Sequence, residues 1–124
     1  MTRSDRHASA ALAALIMLQA VMLGALFTAT VPHPPETIAL FGIGPFVGAS
    51  LAFAVAALVL GPAGSAVGRL CSLAAGLGAL MSYGPQKILD AQFPLIWPTV
   101  VTGWAAILVL FWALYAGWRA RNAG

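Results

Sequence analysis

Residues 82–98 read SYGPQKILDAQFPLIWP. Three prolines, the chain's only lysine and one of its three acids fall here, between long apolar runs. Read as continuous with its flanks, this stretch would leave the C-terminal half as one overlong apolar segment. Read as a connection, it divides that half into two spans. Pro85 suits the first position of a helix, where its missing N–H costs little. Lys87 and Asp90 are three residues apart and share a helical face. Ile88, Leu89 and Phe93 fill much of the rest, so a short amphipathic helix lying at a membrane interface is expected. Pro94 stops it, and Pro98 falls in the opening turn of the next span.

Composition supports the membrane reading. The chain has 124 residues, 61% hydrophobic and 7% charged, and a mean hydropathy of +0.94. A soluble domain carries roughly 25% charged residues. The net charge of +3 does not point to nucleic acid, because the basic residues are scattered and form no run. The partner that composition implies is the lipid bilayer. Cys71 is the single cysteine, and in an apolar stretch it reads as a small buried hydrophobe.

Outward from residues 82–98, the pattern predicts four transmembrane helices in one antiparallel all-α bundle spanning the whole chain, 1–124. The spans fall at about 8–31, 40–60, 66–83 and 97–118. About 20 residues at 1.5 Å each cross the hydrocarbon core. The first run exceeds a signal-peptide core and lacks a clean small-residue cleavage site, so a retained helix is expected. Trp97 and Trp118 are interface anchors at either end of the fourth span, with Arg69, Arg119 and Arg121 as cationic anchors.

Charge sets the orientation. Arg3, Arg6, Arg69, Arg119 and Arg121 share one side if there are four spans, and Lys87 alone faces the other. The positive-inside rule then places both termini in the cytoplasm, with an inner membrane as the expected location.

Small residues recur at fourfold spacing: Gly24 in the first span, Gly44, Gly48 and Ala52 in the second, Gly68, Ser72 and Gly76 in the third. Such ridges let helix backbones approach closely. They predict helix packing, either within the bundle or against another subunit or a second copy. The fourth span carries Trp104, Phe111, Tyr115 and Trp118 at spacings of seven, four and three. This stripe serves as lipid-facing bulk or as a surface for a ligand or neighbouring subunit.

Groups that titrate, attack or bind metal are almost missing from the spans. Gln19 is the strong polar residue of the first. No Asp, Glu, Lys or His lies at mid-membrane depth, which weighs against a proton-coupled pump. His7 lies in the N-terminal tail and His33 in an outer loop, away from the buried helical faces that haem ligation needs. No catalytic residue, metal site or cofactor is assigned. The candidate partner or ligand surface is the outer layer: Lys87, Asp90, Gln86, His33 and Glu36. Lys87, Asp90 and Phe93 resemble a lysine, aspartate and phenylalanine near a span end in DoxX-like proteins, over seven residues. The expected role is non-catalytic: an accessory or assembly subunit of a larger membrane complex. The alternatives are a small homodimeric transporter or channel, and a lipid-, quinone- or pigment-binding protein.

Overall fold

A computed structural model describes residues 1–31 and 40–124. Its elements are α1 (Arg3–Phe27), α2 (Leu40–Leu60), α3 (Ala66–Tyr83), a five-residue 3₁₀ turn (Pro85–Leu89) and α4 (Phe93–Asn122). Each of the four α-helices supplies a segment long and apolar enough to cross a bilayer. The fold is all-α, with the helices packed as a bundle.

Local chemistry sets the boundaries. α2 ends at Gly61, whose φ of +85° lies in the left-handed region that glycine adopts freely. Ser65 then caps α3, its hydroxyl accepting from the Gly68 N–H at 2.8 Å. The bounds of α2 and α3 therefore match the expected spans. α1 begins earlier than residue 8, because Thr2 and Asp5 form a reciprocal capping box that draws the polar tail into the helix. It also stops earlier than residue 31, at Phe27, and Ala29 takes a φ of 50° just beyond it.

The 82–98 connection differs most from expectation. The segment Pro85–Leu89 is a single 3₁₀ turn, too short to present an amphipathic α-helical face. Pro94 does not terminate it. Pro94 occupies the opening turn of α4, where a missing N–H would have had no partner. α4 thus starts at Phe93 rather than Trp97.

The core is built largely of alanine. Ala8, Ala11, Ala54, Ala57, Ala75, Ala79, Ala106 and Ala113 are buried around Leu12, Leu15 and Leu110. Helices immersed in lipid gain little from hiding apolar area, so close backbone approach and dispersion hold them together. Gly76 lies against the Phe111 ring, at 2.8 Å from where a Cβ would be. At mid-bundle Gln19 is 1% exposed and exchanges two hydrogen bonds with Ser50, at 3.0 and 3.1 Å.

One end of the bundle is clasped. The Asp5 carboxylate accepts from the Ala63 N–H at 3.0 Å, and the Arg121 guanidinium donates to the Ala63 carbonyl at 2.7 Å. Ser72 donates to the Pro62 carbonyl at 3.0 Å. Both chain ends thus hold the α2–α3 turn, and the arginine-bearing ends of α1, α3 and α4 meet there.

Candidate functional site

At the opposite end, α1 and α4 flank a cleft. The last buried residue of α1 is Gln19, and the first of α4 is Val100. Near these points the cleft, of about 570 Å³, is lined by both helices. That volume lies within the range of small-molecule sites. One wall comes from Met17, Val21 and Met22 of α1, the other from Leu95, Ile96 and Thr99 of α4. Both walls are mostly apolar. Lys87, Asp90 and Gln92 stand at the rim.

The rim is ordered by short-range bonds. Lys87 Nζ lies 3.6 Å from Asp90 Oδ2. The other carboxylate oxygen, Oδ1, accepts from the Gln92 N–H at 2.9 Å, the side-chain turn that aspartate favours. A charge-assisted N–H···O bond spans about 2.7–2.9 Å, so the lysine is paired loosely and retains donors for another acceptor. Gln86 is directed elsewhere, donating to the Met81 carbonyl at 2.7 Å and closing the end of α3. His33 and Glu36 lie outside the described residues.

Tyr83, the last residue of α3, lines the cleft and ties α3 to two neighbours, α1 and α4. Its hydroxyl donates to the Leu18 carbonyl of α1 at 2.7 Å. Its own carbonyl accepts from the Trp104 indole N–H of α4 at 2.5 Å. Trp104 is therefore spent inside the bundle, while Phe111, Tyr115 and Trp118 border a second groove between α3 and α4. Trp97 and Trp118 are both about half exposed, at 52% and 54%.

The small-residue ridges divide into two groups. Gly68, Ser72 and Gly76 pack within the chain: a Cβ on Gly68 would collide with the Gly61 carbonyl. A Cβ on Gly44 would meet the Phe27 ring at 3.4 Å, an ordinary contact. Gly24 and Gly48 face open space, and Ala52 is exposed, so these three do not close the bundle of a single chain.

This arrangement can bind but has little with which to react. Among the described residues the cleft offers one amine, one carboxylate and a few hydroxyls, with no nucleophile–base pair. Among the described residues no three His, Cys, Asp or Glu side chains gather to hold a metal ion. Lys87 and Asp90 were legible from their spacing. The α1 and α4 wall residues were not, because they become a wall only when the two helices pair. The role of Asp5 had a signal in Thr2-x-x-Asp5, the pattern of a capping box.

No family model, curated protein or solved structure matches this chain.

Proposed function

We propose that this chain is a non-catalytic multi-pass membrane protein that holds an amphiphilic, lipid-soluble molecule in the α1–α4 cleft. The observation that carries the reading is the cleft's polarity: apolar walls along two helices, with Lys87, Asp90 and Gln92 at one end. A long apolar tail gains contact with Met17, Val21, Leu95 and Ile96, while the Lys87 ammonium meets an acceptor on the head. Lipids and quinones have this build. The experiment is solvent extraction of protein purified in mild detergent, followed by mass spectrometry. One class of molecule is expected at near-stoichiometric amounts, reduced in Lys87→Ala. Recovery of bulk membrane lipid alone, unchanged by the substitution, would overturn the reading.

In the proposed setting the membrane is a bacterial inner membrane and both termini are cytoplasmic. The support is charge: five arginines belong to the end that holds both termini, and Lys87 belongs to the other.

A second reading, an accessory or assembly subunit, is favoured by the open small residues of α2. Gly48 and Ala52, four residues apart, share one face of α2, with open space before Gly48 and Ala52 exposed, a surface to which another helix can approach closely. Gly48→Leu is expected to release the chain from a larger assembly on native electrophoresis of solubilised membranes. A wild-type chain that already migrates alone would remove this reading.

A further inference from the structure

The second groove lies between α3 and α4 at the clasped end, and the α1–α4 cleft does not include it. Leu70 and Leu73 of α3 face Phe111 and Trp118 of α4 across it, and Arg69 stands among them. We propose that this groove is a binding site for a phospholipid with an anionic headgroup, its phosphate held by Arg69 and Arg119 and one acyl chain seated between the helices.

Three observations support the anionic head. The first is charge balance. Arg3, Arg6, Arg69, Arg119 and Arg121 belong to this end, and Asp5 is its one described carboxylate. The Asp5 oxygens are already taken by Thr2 and the Ala63 N–H. The second is availability. Among the described residues Lys87–Asp90 is the only ion pair, so neither Arg69 nor Arg119 has a carboxylate partner. Arg121 is committed to the Ala63 carbonyl. The third is the platform. Arg119 sits 6.0 Å from the Tyr115 ring centroid, and that ring stacks on Trp118 at 6.2 Å. This holds the guanidinium beside the groove. The positive end of the α3 dipole lies at the same place, since Ala66 opens α3 and lines the groove.

The groove's body suits an acyl chain. Phe111 and Trp118 lie seven residues apart, about 10 Å along the helix axis. That length is apolar on both sides and begins at the level of the arginines. A planar guanidinium grips phosphate oxygens in pairs, so the headgroup is anchored where the chain starts.

The test uses the full chain in phosphatidylcholine bilayers and reads tryptophan fluorescence. Brominated phosphatidylglycerol and brominated phosphatidylcholine are added separately at equal mole fraction, and quenching at Trp118 is taken as the difference between each chain and the same chain carrying Trp118→Phe, since Trp97, Trp104 and Trp112 also fluoresce. An anionic preference of about fivefold is expected, given the attraction of each arginine to anionic lipid. The double variant Arg69→Gln/Arg119→Gln is expected to lose that preference. The variant Arg3→Gln/Arg6→Gln, which removes the same charge elsewhere on the same end, is expected to keep it. Equal quenching by the two lipids in the wild-type chain would overturn the proposal. So would equal losses in the two double variants, since that would reflect overall charge rather than the groove. Thermal unfolding of each variant checks the fold; among the described residues the side chains of Arg3, Arg6, Arg69 and Arg119 make no hydrogen bond, and their backbone bonds survive the substitutions, so both variants are expected to stay folded.

Discussion

Single residues add directed bonds and close approaches to the alanine packing of this bundle. Asp5 caps α1 and fastens the α2–α3 turn at once, accepting from Thr2 and from the Ala63 N–H. Asp5→Ala removes a cap and leaves a buried N–H unpaired, a loss of about 2 kcal/mol, measurable as a lower unfolding midpoint in detergent. Gly68→Ala acts by another route. Its Cβ would meet the Gly61 carbonyl, and backbone cannot move aside as a flexible side chain would. A destabilisation of about 2 kcal/mol is expected by the same measurement. Ala29 has the opposite sign: it occupies the left-handed region without being glycine. Ala29→Gly is expected to stabilise by about 1 kcal/mol. Lys87→Ala is expected to change stability by less than about 1 kcal/mol, because a loosely paired i, i+3 ion pair contributes little.

Elements differ in how far the sequence disclosed them. α2 and α3 were legible to the residue because their stops are local: Gly61 at one end, the Ser65 cap at the other. α1 and α4 began ahead of their expected starts, α1 because the Thr2–Asp5 capping box draws the polar tail into the helix and α4 because Pro94 opens it, while α1 stopped at Phe27, short of residue 31. Pro94 shows the ambiguity plainly, because proline ends one helix or begins the next with equal chemical sense. The Lys87–Asp90 pair could be read from spacing; the cleft it borders could not, since the paths of α1 and α4 are decided by packing far along the chain. α4 has 30 residues, about 45 Å of helix against a core of about 30 Å. Its ends therefore lie outside the hydrocarbon. In intact membranes Leu108→Cys, although on an exposed face, is expected to resist a membrane-impermeant thiol reagent, whereas Gln92→Cys is expected to react. Labelling at residue 108 would place water on that face and favour a conduction pathway over lipid.

At the scale of the molecule, the two ends of the bundle are built for different purposes. The arginine-bearing end is clasped, with both chain ends bonded to the turn that joins α2 and α3. The other end is open, and its apolar cleft is rimmed by the chain's only lysine. Bonding at one end and room at the other suit the proposed holding of a lipid-soluble molecule. The cleft can be filled without touching the rim. Thr99 stands on the α4 wall, and Thr99→Trp places an indole in the space that the ligand would use. The most direct measurement is native mass spectrometry of the wild-type chain and Thr99→Trp, each released from mild detergent. The wild-type chain is expected to carry one additional mass of a single amphiphile, and Thr99→Trp to fly bare while unfolding at a similar temperature. A wild-type chain that flies bare, or a variant that keeps the same adduct, would contradict the ligand-holding role.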